Sequence, residues 1–355
     1  MLLHCHKFVF ALCIHEMRHI KSRFSRLFCV TMSLGLSACS SYHPLADKEI
    51  YPRPLTASPG EGVKVSFFGN TTILISDGDT HLLVDGFFSR PGPVRTLLGK
   101  IAPDRVELAR ELKRAGISNI DAVLVGHAHH DHALDAPVVA EMTNALVMGT
   151  ESYRQIHLGA GSKTDGEHLF TVPTDGEQKS FGKFVVTFRP SDHVGAHGLV
   201  QHLIEGHIKK PFKTPARFWR FKCGKVYVIH IAHPHGNLVV TTTAGAKEGQ
   251  LKGFSADVVF LGVGFLDKES PLRQNRYWHE TVGVTKPEMV VPVHWDNFSI
   301  KLSKGLQPAP RVAFSTRAAA DVLKDKAGDD GPVVRAMDYG DSLLLRDGQV
   351  RTVSP

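Results

Sequence analysis

The chain reads Ala-Val-Leu-Val-Gly-His-Ala-His-His-Asp-His from residue 122 to residue 132. The four apolar residues predict a buried strand, and Gly126 separates that strand from a dense cluster of four histidines and one aspartate. Neutral imidazole is a favoured ligand of zinc and similar metals, and a carboxylate offsets the charge of the cation. The stretch therefore predicts a strand that delivers metal ligands at its end.

The spacing within this cluster predicts the directions of its side chains. Alternate residues of an extended segment share a face, so His127 and His129 should point to the same side. Asp131 and His132 lie one step further along and can approach from another direction, where they could hold a second ion. We expect His130 to point away from both.

Three further polar residues follow predicted strands in the same way. His193 closes the sequence Arg-Pro-Ser-Asp-His, and His294 follows Val-Pro-Val. Asp85 ends the stretch His-Leu-Leu-Val-Asp and precedes a glycine. Each is a candidate for the same site, although an aspartate before glycine is also a common way to begin a turn.

The pattern His127-x-His129-x-Asp131-His132 at the end of an apolar strand resembles the signature of the metallo-β-lactamase superfamily. The resemblance implies that His193 joins His127 and His129 at one metal, and that His294 joins Asp131 and His132 at the other. It also implies that Asp85 supports the ligands without binding the metal itself.

The resemblance extends over roughly residues 63 to 298, and within it three short sequences point to one branch of the superfamily. Three short sequences, Phe-Gly-Asn-Thr-Thr at 68–72, Leu-Leu-Val-Asp at 82–85 and Val-His-Trp at 293–295, are similar to one branch of the superfamily. That branch includes N-acyl phosphatidylethanolamine-hydrolysing phospholipase D and the ascorbate-6-phosphate lactonases.

The sequence departs from this family at one position. Dinuclear members bridge their two metals with an aspartate that follows a strand, and in Leu-Val-Val-Thr-Thr-Thr-Ala-Gly at 238–245 the corresponding residue is Thr243. A neutral hydroxyl cannot replace a bridging carboxylate, so we expect Thr243 to act from outside the ligand shell. One zinc ion or two remain possible, with iron or manganese as alternatives. His230, His233 and His235 lie nearby, but strand alternation puts the first two on opposite faces.

The remaining pattern predicts an α/β protein. Short strands separated by turn residues occupy two regions, before and after the histidine cluster, and helical stretches flank them. We expect a four-layer αββα sandwich of the metallo-β-lactamase type over residues 63–355. The predicted strands are 63–68, 71–76, 81–85, 122–126, 184–188, 226–231, 238–243, 258–261 and 289–293, and the predicted helices are 105–115 and 272–281.

The N-terminal residues read as a targeting segment. Basic residues at positions 18–26 precede an apolar stretch at 27–36 and the sequence Leu-Ser-Ala-Cys, which ends at Cys39. This resembles a bacterial lipoprotein signal peptide, because the apolar stretch is too short to span a bilayer. The resemblance implies cleavage after residue 38 and lipidation of Cys39, with residues 39–62 as a proline-containing tether and Met17 as an alternative start. An uncleaved anchor is the alternative.

The resemblance to a lipoprotein places the protein in the bacterial cell envelope. Ser40 follows the cysteine, which favours the outer membrane, with the domain facing the periplasm. The net charge of +7 gives no reason to expect nucleic acid, because the leader carries five basic residues and one acidic residue. A basic and aromatic stretch at 209–222 could meet anionic lipid headgroups, or it could be an amphipathic strand with a solvated basic face.

The function implied is hydrolysis. A bound metal supplies hydroxide at neutral pH, which would attack an ester, lactone, amide or phosphodiester, and Asp131 could orient the water or pass a proton to the leaving group. The substrate would be a small molecule or a lipid, and the oligomeric state stays open. The alternative is a catalytically silent metal-binding or scaffolding lipoprotein.

Overall fold

The computed structural model describes residues 62–160, 169–171, 175–195 and 197–353. The predicted signal peptide, the predicted lipidation site Cys39 and all of the predicted tether except Gly62 lie outside the described residues. Strand β1 begins at Val63, and the described residues belong to one compact unit.

Eight strands form the first sheet, in the order β15-β14-β1-β2-β3-β4-β5-β6. Strands β1 to β3 form an antiparallel meander, whereas β3 to β6 run parallel to one another. The strands are β1 Val63–Phe67, β2 Ile73–Ser76, β3 His81–Val84, β4 Ala122–Leu124, β5 Leu146–Gly149, β6 Leu169–Thr171, β14 Ser342–Arg346 and β15 Gln349–Val353.

Seven strands form the second sheet, in the order β13-β12-β11-β10-β9-β8-β7. Strands β7 to β10 pair antiparallel, and β10 to β13 pair parallel. The strands are β7 Gln178–Phe181, β8 Phe184–Ser191, β9 Val226–Ala232, β10 Leu238–Thr241, β11 Val258–Gly262, β12 Met289–Val293 and β13 Val333–Val334.

Helices contact both sheets, which gives the predicted four layers. The α-helices are α1 Pro93–Leu98, α2 Arg105–Arg114, α3 His130–Ala133, α4 Ala136–Thr143, α5 Glu151–Gly159, α6 Leu199–Ile204, α7 Pro271–Trp278 and α8 Thr316–Ala327. Short 3₁₀ turns occupy Phe218–Arg220, Leu266–Lys268 and Leu302–Lys304, and a π-helical turn follows α7 at His279–Gly283.

The two sheets share one apolar core, because strands such as β4 and β11 are buried along their whole length. Burial on both faces explains why these strands read as continuous apolar runs rather than as alternating patterns. The α/β fold class and its two-sheet arrangement are thereby confirmed.

The structure corrects two of the predicted boundaries near the site. The strand predicted at 238–243 ends at Thr241, so Thr242 and Thr243 lie beyond the sheet. The helix predicted at 272–281 ends at Trp278 and continues as the π-helical turn. Among the residues that the structure describes, none of the helices has the length and apolar character needed to cross a bilayer.

Candidate metal centre

Two groups of ligand atoms meet at one edge of the sandwich. The first group contains His127, His129 and His193, and the second contains Asp131, His132 and His294. Within each group the potential ligand atoms all lie within 4.8 Å of one another. These are the two sets that the family resemblance implied, so the fold brings all six predicted ligands together in the predicted pairing of residues.

Strand ends position these side chains. His127 and His129 follow β4, His193 follows β8, and His294 follows β12. Asp131 and His132 lie in the single turn of α3, which begins at His130. β4 belongs to the first sheet, and β8 and β12 belong to the second. The ligands converge because the packing of the two sheets brings these three strand ends together.

Gly126 permits the close approach of the two sheets at this edge. A Cβ atom on Gly126 would lie 2.4 Å from Oγ1 of Thr242, which belongs to the loop after β10. The Gly126 carbonyl also accepts a hydrogen bond of 3.0 Å from the backbone N–H of Tyr227 in β9. The glycine between strand and histidine cluster is therefore required by packing.

The first group has spacing suited to a shared ion. Nε2 of His127 lies 3.1 Å from Nδ1 of His129. Two nitrogens bound to one tetrahedral zinc, each at about 2.0 Å, would be separated by about 3.3 Å. The His193 ring lies 5.0 Å from the His127 ring and 4.7 Å from the His129 ring, measured between centroids.

Each histidine of the first group has its other ring nitrogen bound by the protein. Nδ1 of His127 lies 3.0 Å from Oγ1 of Thr242. Nε2 of His129 can donate to the Ile204 carbonyl at 3.2 Å, and Nδ1 of His193 can donate to the carbonyl of Val194 at 2.9 Å. Such contacts fix the tautomer and direct the remaining nitrogen towards a metal.

The second group is built around Asp131. Its Oδ2 lies 3.1 Å from Nε2 of His294 and 3.3 Å from Nε2 of His132, again the spacing of atoms on one ion. Nδ1 of His132 donates to Oδ2 of Asp85 at 2.7 Å, and Thr71 donates its hydroxyl proton to the same carboxylate. The residues present thus fit one or two borderline metal ions.

Asp85 lies behind the ligands. Besides His132, its carboxylate accepts the backbone N–H of Gly126 at 3.2 Å, and it is fully buried. It therefore connects β3 to both the strand end that carries His127 and the ring of His132. This is the geometry that a supporting aspartate requires.

Burial and charge divide the centre into two halves. Burial and the neighbouring histidines lower the pKa of His127 and His129 well below the usual value, and burial lowers that of His193 to about 4. Neutral imidazoles, which metals require, therefore prevail at neutral pH in the first group. In the second group burial alone would lower the pKa of His132, but Asp131 and Asp85 raise it to about 10.

The pKa of Asp131 is shifted in the direction opposite to that of His132. Burial alone would raise its pKa, but His132 and His294 hold the pKa of this carboxyl well below its usual range. The aspartate is therefore ionised at neutral pH. Together with Asp85 it makes the second half of the centre attract positive charge.

A network that the sequence analysis missed holds the second group. Asn70 donates its side-chain amide to the Asp131 carbonyl at 2.6 Å and accepts the backbone N–H of His294 at 2.7 Å. Asp296 accepts the Asn70 backbone N–H at 2.6 Å and pairs with Arg90 at 2.6 Å, fully buried. The signal for this role in the sequence is weak, because Asn70 follows a glycine and its pattern predicts only a turn.

Thr242 and Thr243 lie in the loop after β10, where the family resemblance implied that Thr243 stands in place of a bridging aspartate. Thr242 contacts His127, a role the sequence analysis did not assign. The Thr243 hydroxyl accepts the backbone N–H of Val194 at 3.1 Å and so supports the loop that carries His193. Both hydroxyl groups therefore support the first group of ligands from outside it.

The remaining histidines lie outside both groups. His130 packs among the rings of Phe87, Phe218, Phe221 and Phe298 at 6.0–6.4 Å. His230 contacts the Ser255 carbonyl, and His233 contacts Asp77 at 3.3 Å. None of these three histidines belongs to either group of ligands.

Comparison with known proteins agrees with the geometry. The sequence model of the metallo-beta-lactamase superfamily matches residues 65–208. A UPF0173 metal-dependent hydrolase of Christiangramia forsetii is 33% identical over 86 residues, which are 24% of this chain and 31% of that protein. Another, from Cupriavidus necator, is 25% identical over 317 residues, covering 87% of this chain and 98% of that one.

Among solved structures, the metallo-beta-lactamase fold protein YhfI from Bacillus subtilis is similar. The two share 16% sequence identity with a TM-score of 0.44, and the match covers 79% of this chain and 98% of YhfI.

Proposed function

We propose that this chain is a metal-dependent hydrolase of the metallo-β-lactamase superfamily, which cleaves an ester, lactone, amide or phosphodiester with a metal-activated water. The match of the superfamily model to residues 65–208 and the similarity to UPF0173 metal-dependent hydrolases support this proposal. The observation that supports the proposal is the convergence of six ligand atoms, from three strand ends and one helical turn, into two adjacent groups. A small molecule or a lipid would be the substrate.

A bound metal ion and the side chains of the protein would have different roles in this reaction. A bound dication lowers the pKa of a coordinated water from about 15.7 to about 7 and polarises the oxygen that gains charge. The chain's own part is orientation and proton handling. Asp131 is ionised and lies between His132 and His294, so it can orient the water or carry its proton to the leaving group.

Zinc is the ion that the donor set favours. Five imidazoles and one carboxylate suit a borderline metal, whereas magnesium or calcium would require mostly oxygen ligands. Iron and manganese remain alternatives. With Thr243 in place of a bridging carboxylate, we propose that the first group binds its ion more tightly than the second group binds another.

Metal analysis of matched variants tests the proposal. The purified chain should contain at least one stoichiometric metal ion and cleave a chromogenic ester or phosphodiester. His129→Ala should lose both metal and activity, whereas His235→Ala, a histidine outside both groups, should keep both. Stoichiometric metal without cleavage of any substrate in a broad panel would favour the silent metal-binding protein. Absence of metal after reconstitution would refute the proposed centre itself.

We further propose that the protein is a lipoprotein, lipidated at Cys39 and attached to the outer membrane with its domain in the periplasm. The support is the basic, apolar and small-residue sequence before Cys39. Labelling of cells with a fatty-acid analogue should mark the wild-type chain and not Cys39→Ala. Equal labelling of both chains, or none of the wild type, would refute lipidation at this cysteine.

A further inference from the structure

The surface beside the metal centre combines exposed apolar side chains with basic ones. Helix α6 carries Leu199 and Leu203, which are 77% and 44% exposed, and its last residue, Ile204, accepts a hydrogen bond from the ligand His129. The 3₁₀ turn at 218–220 places Trp219 on the surface, while its neighbour Phe218 packs against His130. Helix α6 therefore contacts a candidate ligand, and the turn packs against His130, which lies between the ligands His129 and Asp131 in the chain.

Helix α1 continues this surface. Val94 and Leu98 are 72% and 63% exposed. Arg217 joins the two parts, because it donates to the Leu98 carbonyl and its guanidinium lies 5.3 Å from the Trp219 ring. A backbone bridge between Ile101 and Ala216 fixes the same junction. A second contact joins the segment after the turn to α6, because the backbone N–H of Cys223 donates to the Ile204 carbonyl.

The charge of this surface has one sign. Between Gly206 and Lys225 the chain has seven lysines or arginines and no aspartate or glutamate. The segment at 86–103, which contains α1, also lacks acidic residues. Lys213 and Arg220 are exposed, and Arg220 lies 4.8 Å above the ring of Phe212. Apart from Glu205, which pairs with His202, nothing in α6 or the turn offsets this charge.

We infer that this basic and apolar surface docks onto a bilayer that contains anionic phospholipids. Leucine and tryptophan side chains can enter the boundary between headgroups and acyl chains, while lysine and arginine bind the phosphates. The positive charge selects the anionic bilayer over other apolar partners, since each basic residue near such a surface contributes about 1 kcal/mol, a factor of about five in partitioning. The inference concerns binding and does not depend on the hydrolase activity.

Fluorescence of Trp219 tests the inference when the full-length chain is titrated with vesicles. We expect brominated phosphatidylglycerol vesicles to quench a tryptophan signal that Trp219→Phe removes, and phosphatidylcholine vesicles to quench it little. Trp295 is fully buried and should stay unquenched. Trp278 is partly buried and contributes equally to both chains, so the quenching that Trp219→Phe removes belongs to Trp219 alone. Attachment through another part of the chain does not imitate this difference.

Charge reversal supplies the matched pair of variants. Lys213→Glu with Arg220→Glu should reduce the quenching at Trp219 and weaken binding to anionic vesicles by about 25-fold or more. Lys179→Glu with Lys183→Glu, at the β7–β8 hairpin, changes the charge equally and should leave quenching unchanged. Metal content should be unaffected in both, which separates this result from the proposed centre. Trp219 that stays unquenched on anionic vesicles, or quenching that resists charge reversal, overturns the inference.

Discussion

Replacing Asp85 with asparagine tests whether the second group depends on a carboxylate that does not itself bind the metal. Asp85 accepts from His132, Thr71 and the Gly126 backbone N–H. Asparagine has the same shape, but one carboxylate oxygen becomes an NH₂ group that would face a hydrogen-bond donor. The change therefore removes a charge and one acceptor without creating a cavity.

The expected magnitude follows from the role of such partners. Loss of a carboxylate behind a histidine ligand typically lowers metal affinity 10- to 100-fold, which corresponds to about 1.4–2.7 kcal/mol. Because Asp85 contacts the ring of His132 and only the backbone before His127, we expect the weaker ion to be the one bound by the second group. The ion held by His127, His129 and His193 should change much less.

Competition with a chromophoric chelator measures both affinities in one titration. Asp121→Asn is the matched control. Asp121 lies just before β4, and its carboxylate accepts the backbone N–H of His81 and contacts none of the six ligands. His294→Ala should abolish the same ion, so adding Asp85→Asn to it should have little further effect. The reasoning is refuted if Asp85→Asn binds two ions with wild-type affinity, or if it loses the ion of the first group instead.

Three further predictions concern support, charge and pH. Arg90→Met leaves the Asp296 carboxylate buried without its partner, so it should lower the free energy of unfolding by about 3–5 kcal/mol. Arg105→Met, which breaks an exposed ion pair, should lower it by at most about 1 kcal/mol. Equal losses of the two variants in denaturant titrations would contradict this reasoning. Thr243→Asp should raise the affinity for a second ion at least tenfold by calorimetry, and an unchanged stoichiometry and affinity would count against the bridging position. Burial lowers the pKa of His193 to about 4 in the folded chain. Between about pH 6.5 and about pH 4 the unfolded chain therefore binds a proton at this residue and the folded chain does not. The free energy of unfolding of the metal-free protein should decrease as the pH falls through this range. His193→Gln should flatten that loss by at most about 3 kcal/mol, and identical pH profiles of melting temperature would rule this out.

The sequence could predict the site where local pattern and chemistry coincide. The apolar run before Gly126 and the histidines after it specify a strand end and its ligands within one short stretch. His193 and His294 lack such density, and only their position after predicted strands and the family resemblance connected them to the cluster. Their convergence depends on the pairing of β8 and β12 with distant strands, which no local pattern encodes.

What the sequence could not predict is mostly long-range support. Asn70 and Asp296 are separated by more than two hundred positions, and Arg90 reads as an ordinary surface residue because arginine is seldom fully buried. Thr242 could not be told apart from Thr243, because the end of β10 falls between Thr241 and Thr242 and the strand pattern gives no such boundary. The last two strands went unpredicted because they carry no motif, although they complete the first sheet beside β1.

The hydrogen bonds of Asp85 and Asn70, together with those of Thr242 and Thr243, explain how the ligands keep their positions without a bridging carboxylate. A bridging aspartate would tie the two groups together through the metals themselves. Here the protein supplies ties of its own: Asp85 links the His127 strand end to His132, and Asn70 links Asp131 to His294. These contacts join protein groups to one another, so they position the ligand side chains through bonds other than those to a metal. A preorganised centre of this kind can bind a first ion tightly and still leave the second group to exchange its ion more readily.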